Sequence, residues 1–189
     1  LGLSSMQLNS KNRGFAFKHN SELDMRFDTQ IGRKASQYLN KISQLELSNI
    51  IYNYSDERFS KKISKSIKSK LPINKTFDLV NAINLVTPPH KRSKTLARVF
   101  QSIRIALNNE LDKLNKFLNS FADSLKIGGR IVIISYHSIE DRMVKRAYKK
   151  LHFQKKMRII TKKPIIPNIK ERNLNQRSRS AKLRAAERI

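Results

Sequence analysis

The chain has 189 residues, with 40 Lys or Arg against 14 Asp or Glu, a net charge of +26 and no Cys. Without cysteine there is no disulfide framework, no thiolate metal site and no thiol nucleophile. No run approaches the roughly 18 apolar residues of a membrane span, and no signal-peptide apolar region opens the chain. At 39% hydrophobic residues the chain can bury a real core, so a soluble, intracellular protein is the default expectation. The excess of cations attracts polyanions and releases counterions from nucleic acid, which makes nucleic acid the expected partner and binding steeply salt-dependent. A membrane surface is the rival polyanion, but no segment reads as a basic amphipathic helix with aromatic anchors.

Residue 1 is Leu, and "LGLSS" reads as a continuation, so the chain is expected to begin partway through a longer protein, a trimmed chain being the alternative. Residues 1–30 are loop-like and contain "RGFAFKHNSELDMRFD", which alternates aromatic, basic and acidic groups. Residues 31–96 read as short amphipathic helices: Ala35, Leu39, Ile42 and Leu45 keep helical spacing, as do Phe59, Ile63 and Ile67, with Pro72 ending that run. Thr76 is placed to cap a further helix that ends before Pro88 and Pro89. Each of these helices is too short to stand alone, so they are expected to pack as one helical subdomain.

Residues 97–189 open on the longest pattern. Phe100, Ile103, Leu107, Leu111, Leu114, Leu118, Phe121 and Leu125 form one apolar stripe, predicting a single helix stopped by Gly128 and Gly129 as a left-handed cap. "RIVIIS", Arg130 to Ser135, is apolar on both faces and reads as a strand inside a sheet with helices on both sides. Helix, glycine pair and strand make an α/β unit. Ser138 is placed to cap the next helix with Asp141 at the capping-box position, whereas Tyr136 and His137 cap nothing. In open α/β sheets ligands sit beyond the carboxyl ends of the strands, which puts "YHSIED" where chemistry is done. Farther on, "KMRIITKKPIIP" fits strand-like pieces at a sheet edge, and "RSRSAKLRAAERI" suits either a strand or a helix.

Five blocks, "LGLSSMQL", "RGFAF…LDMRFD", "RVFQSIRIALNNEL", "GGRIVIISYHSIEDRMVK" and "TKKPIIP…RSRSAKLRAAER", stand here in order. In that order they resemble the MraW-like family, the bacterial methyltransferases of the N4 amine of a cytidine in 16S rRNA of the small ribosomal subunit. The resemblance runs over essentially the whole chain. It implies α/β architecture: a partial class I, Rossmann-like methyltransferase core (residues 1–30 and 97–189) interrupted by an inserted all-helical subdomain (31–96). It implies S-adenosylmethionine as cofactor, 16S rRNA or the small subunit as partner, and a cytoplasmic location. A non-catalytic basic RNA-binding or ribosome-associated protein is the alternative reading.

In the family, a glycine-rich loop and an acidic residue after the second strand hold the cofactor. The five glycines here stand at 2, 14, 32, 128 and 129 and form no GxG. The family's acidic residue before the Leu-Gly pair would lie one position upstream of Leu1. Only the glutamine of "SSxQ", Gln7, carries over as a cofactor contact, so the chain alone is expected to bind cofactor poorly.

The N4 lone pair of cytidine is delocalised into its ring, so an enzyme must align the amine and accept its hydrogens. Ser5 is the candidate positioning group in "LSSMQ", and His137 the candidate at the strand end. Phe15 and Phe17 are candidates for stacking on an extruded base, although core packing suits either one. Asp24 and Arg26, with Asp28, read as a charged lattice tying their loop to the helices. Tyr136 and Ser138 face the acceptor side in this reading. Arg104, Arg177, Arg179 and Lys182 are candidate phosphate contacts, as are Arg92, Lys94, Arg98, Lys145, Arg146 and Arg184. His19, His90, His137 and His152 show no metal-ligand spacing, so no metal site is expected.

Overall fold

The computed structural model describes residues 2–189, and of Ser5 and Asn9 the backbone only. These residues divide into two compact units, Leu3–Glu110 and Leu111–Ile189, the latter together with Gly2. No described helix is long and apolar enough to cross a membrane.

The first unit is helical. It opens on α1 (Ser5–Asn9), where Ser4 Oγ accepts from Gln7 N and Gln7 Oε1 accepts from Ser4 N. Then come α2 (Ala35–Lys41), α3 (Gln44–Ser55), α4 (Ser60–Ser69), α5 (Thr76–Asn84) and α6 (Arg92–Asn108). The stretch that carries Ala35 to Leu45 is two helices, because Ser43 and Glu46 close a capping box that starts α3 and leaves Leu45 exposed. Leu39, Leu47, Ile51, Ile63, Ile67, Leu79, Ile83, Val99 and Ile103 meet in one core. Thr76 is not the cap expected of it. It is the first helical residue of α5, and its buried hydroxyl exchanges hydrogen bonds with Ser21.

That bond belongs to a set fixing the loop from Arg13 to Lys34 on the helices. Leu23 N donates to Asn74 O (3.0 Å) and Ser36 N to Leu23 O (2.9 Å). Gly14 turns at φ +70°, and a Cβ there would lie 2.7 Å from Glu22 O, so only glycine fits. Met25 is fully buried at φ +58°, a conformation that persists only when its surroundings over-determine it. They do: Met25 N donates to Arg13 O (2.9 Å), and Asn108 Nδ2 donates to Met25 O (2.8 Å). Asn108 Oδ1 also accepts from Phe27 N (2.8 Å).

Asn108 explains why the long stripe is not one helix. α6 ends there, Asn109 turns left-handed at φ +51°, and α7 (Glu110–Ser120) begins a new helix. Asparagine tolerates that conformation better than most residues. Phe100 and Ile103 pack in the helical core, whereas Leu114, Leu118 and Phe121 pack in the core of the second unit, so one sequence stripe feeds two cores.

In the second unit α7 runs into a 3-10 turn, Phe121–Ser124, and the glycine pair then forms a turn into β1 (Arg130–Ser135) instead of capping the helix. There follow α8 (Ser138–Phe153), β2 (Met157–Ile159), α9 (Ile169–Leu174), a 3-10 turn (Gln176–Ser180) and β3 (Lys182–Arg188). The carboxyl-terminal piece is therefore a strand. The sheet order is β1-β3-β2, and β3 is antiparallel to both neighbours, with Ile133 opposite Arg184 and Arg158 opposite Glu187. β1 and β2 are consequently parallel to each other and joined through α8, a crossover unit with β3 between its strands. Ile133, Val144, Tyr148, Met157 and Ala186 form the core beneath α8. The expectation that β1 is covered on both faces fails among the described residues: Val132 is 55% and Ile134 40% exposed, and β1 pairs only with β3.

Replacing Asn108 by Ala removes one side chain that satisfies two backbone groups of the strained loop. Unfolding in urea is expected to show a loss of about 2–4 kcal/mol, and a loss under 0.5 kcal/mol would show that the loop holds without it.

Candidate functional site at the end of the first strand

The polar tip of β1 is organised by the first turn of α8. The helix cap is His137, not Ser138: His137 Nδ1 accepts from Glu140 N (3.4 Å), and Ser138 is the first helical residue, with its side chain exposed. The cap thus falls one residue earlier than expected, and Glu140, not Asp141, stands at the third position, where it reaches back past the cap to Tyr136 instead of closing a box on His137. Glu140 Oε2 accepts from Tyr136 N (3.0 Å), while Oε1 lies 3.3 Å from His137 Nε2 in a contact not aligned as a hydrogen bond. Because Nδ1 accepts, the ring proton sits on Nε2, which is buried and otherwise without a hydrogen-bond partner among the described residues. Ser135 Oγ, buried beside it in sequence, is also unpartnered there. Tyr136 exposes its side chain.

Glu140 is only 3% exposed. Burial opposes its ionisation, but His137 and the Tyr136 amide outweigh burial and hold its carboxyl below the usual range. Asp141 looks the other way, to β3. Arg184, buried in mid-strand, donates Nε to Asp141 Oδ1 (2.6 Å) and Nη2 to Oδ2 (3.1 Å). Lys182 Nζ stands 3.8 Å from the same carboxylate. Burial again opposes ionisation, and the bidentate Arg184 contact with the nearby lysines again prevails, lowering Asp141. Arg184 is therefore a strut and not the phosphate contact that sequence suggests. Burial pushes the Tyr148 phenol upward, and its hydroxyl is unpartnered among the described residues.

The other predicted residues fall in separate places. Within the helical unit, Phe15 is buried with its ring 6.0 Å from Phe27, so it packs the core and presents no face to a ligand. Phe17 is half-buried, edge-on to Phe100 at 5.6 Å. Asp24 receives Arg26 Nε (2.7 Å) and Nη2 (3.0 Å); burial opposes its charge, but Arg26 holds it below its ordinary value. Arg26 Nη1 also reaches Gly32 O, and Asp28 accepts from Gln30 N, so the lattice is largely local to its own loop. Arg104 forms a two-point pair with Glu110 (2.7 and 3.1 Å), and its carbonyl accepts from Asn108. Gln7 sits in α1 as part of its capping box, and the side chain of Ser5 lies outside the described residues. In the sheet unit, Arg177 and Arg179 lie exposed in the 3-10 turn before β3.

Sequence reasoning missed Glu140 and Asn108. Glu140 carries the i+3 spacing of a capping box, but it is read only if His137 is accepted as the cap. Asn108 interrupts an apolar stripe beside a second asparagine, a signal for a helix end. An open cavity of about 660 Å³ lies among Lys70, Asp78, Asn81, Asn84 and Arg92, of which only Arg92 is a predicted site residue. No group of three or more His, Asp or Glu suited to a metal ion occurs among the described residues.

A model of the MraW methylase family matches residues 1–189. Ribosomal RNA small subunit methyltransferase H of Acaryochloris marina is 45% identical over 195 residues, covering 100% of this chain and 64% of its own length. The enzyme of that name from Thermotoga neapolitana is 45% identical over 193 residues, covering 99% of this chain and 63% of its own. The one from Thermosipho africanus is 46% identical over 193 residues, covering 100% and 65%. The chain thus spans a little under two thirds of the length of these relatives.

Asp141 has a lowered folded-state pKa, so its pair with Arg184 stabilises the fold above the unfolded carboxylate value of about 4. That contribution is lost as pH falls through the lowered value. Asp141→Asn is expected to lose about 3 kcal/mol at pH 7 by leaving Arg184 buried and unpaired. The gap from the parent protein should narrow steadily on acidification, as followed by denaturant unfolding. A gap independent of pH would mean that the pair is not ionic.

Proposed function

The chain belongs to the MraW methylase family, and from that premise we propose that it serves S-adenosylmethionine-dependent methylation of the N4 amine of a cytidine in 16S rRNA of the small ribosomal subunit, in the cytoplasm. The observation that carries the reading is the family match over residues 1–189, supported by relatives near 45% identity along the whole chain. The β1–α8–β2 crossover is what favours a Rossmann-like core, and the helical unit is what favours an inserted helical subdomain. In this reading residues 1–30 and 97–189 belong to the core and 31–96 to the insert, although Leu3–Glu110 fold as one compact unit.

The residues present do not make a cofactor cradle. Gln7 already gives its side-chain carbonyl to Ser4, and none of the five glycines forms a phosphate- or nucleoside-cradling GxG turn. In this reading Tyr136 and Ser138 present polar groups at the strand end, and His137 stands behind them as the candidate to hydrogen-bond an incoming base. Ser5 positions the amine, Phe17 and the Asp24–Arg26 pair shape the loop, and Arg177, Arg179 and Lys182 meet phosphates. The same lack of a cradle, with a charge of +26, favours a second reading for the 189 residues alone: a basic RNA-binding body without activity.

Labelled S-adenosylmethionine and small-subunit rRNA lacking the modification test the proposal. A protein of the relatives' full length should yield N4-methylcytidine, and the 189-residue chain should yield none and bind cofactor weakly. Label in another nucleoside would contradict the reaction, and micromolar cofactor binding to the 189 residues would contradict the missing cradle.

A further inference from the structure

The cations on the strands of the β-sheet unit are engaged within it. Arg130 and Arg158 both pair with Glu187 (2.8 and 2.6 Å), Lys182 and Arg184 converge on Asp141, and Arg188 donates to the carbonyls of Ala122 and Leu125. The outer face of α8 is different. Lys145, Arg146, Lys149 and Lys150 are all exposed, and none has an ion-pair partner among the described residues. The two acids of the helix, Glu140 and Asp141, are both turned inward and occupied. Lys145 with Lys149, and Arg146 with Lys150, stand four residues apart, about 6 Å along the axis. Like charges so spaced destabilise an isolated helix. Apart from the pull of Lys145 on Asp141, this ridge of positive charge is uncompensated among the described residues.

We propose that this ridge is an RNA-backbone contact, meeting the phosphates of the substrate RNA; the choice of polyanion rests on the rRNA reading above. Its chemistry selects phosphate over a lipid surface. A membrane-binding basic helix must lay an apolar face into the bilayer, and the apolar face of α8, with Val144 and Tyr148, is already committed to the core. What remains outward is charge alone, which suits a backbone read without sequence.

The test uses the 189-residue protein, a short RNA hairpin and a salt series. The α8 triple variant, Lys145→Gln, Arg146→Gln and Lys149→Gln, should weaken binding at least tenfold at low salt and reduce the slope of log K against log salt by about 2–3. A triple variant of equal charge on α4, Lys61→Gln, Lys62→Gln and Lys65→Gln, should change both far less. Lys145→Arg with Lys149→Arg should bind as the parent does, and thermal melting of the α8 triple should be unchanged or raised. Equal losses from the two triples would overturn the ridge. So would loss of binding to phosphatidylserine vesicles with RNA binding intact. A parent chain that binds RNA normally while the α8 triple does too refutes this inference alone; a parent that binds no RNA refutes the functional reading with it.

Discussion

Two adjacent buried carboxylates in the first turn of α8 hold the sheet unit together. Glu140 reaches back to the strand it follows, accepting the Tyr136 amide and facing His137. Asp141 reaches sideways to Arg184 on β3. Negative charge at a helix start is favourable to the helix in its own right. Here the same two charges fix the strand end to the helix and the helix to the next strand. A buried charge without its partner is costly, so the arrangement is all-or-none: removing any member exposes the others to an unpaired burial.

The helical unit solves a similar problem without charge. A loop carrying a buried methionine at positive φ is held by one asparagine that bonds two of its backbone groups. That asparagine is also where the long apolar stripe divides. Loop shape and helix length therefore share one residue, and the ion pair of Asp24 with Arg26 only stiffens a turn whose path is set elsewhere.

The parts of the fold that follow a period were legible in the sequence. The helical character of residues 35–108 and the strand "RIVIIS" come from spacing, and the helix after the strand from its polar start. What spacing does not carry is which core a residue serves. Phe100 and Phe121 sit on one stripe yet in two cores, because a single left-handed residue redirects the chain. Partners distant in sequence were equally hidden: Arg184 reads as one more surface cation until β3 lays it beside Asp141. The strand and the helix that frame the candidate site were legible from the α/β pattern, but the cap falls one residue earlier than read, since histidine is not the residue type that marks a helix cap. Family resemblance is the source of the proposed reaction, which no geometry in these residues would have produced.

His137 caps α8 through Nδ1, so its buried Nε2, beside Glu140, carries the ring proton. Nitrogen-15 NMR of the imidazole rings, with His137 assigned by His137→Asn, measures this directly. The expected spectrum at neutral pH shows His137 locked as the Nε2–H tautomer with Nδ1 as hydrogen-bond acceptor. A ring protonated on Nδ1, or one averaging between tautomers as a free imidazole does, would contradict it.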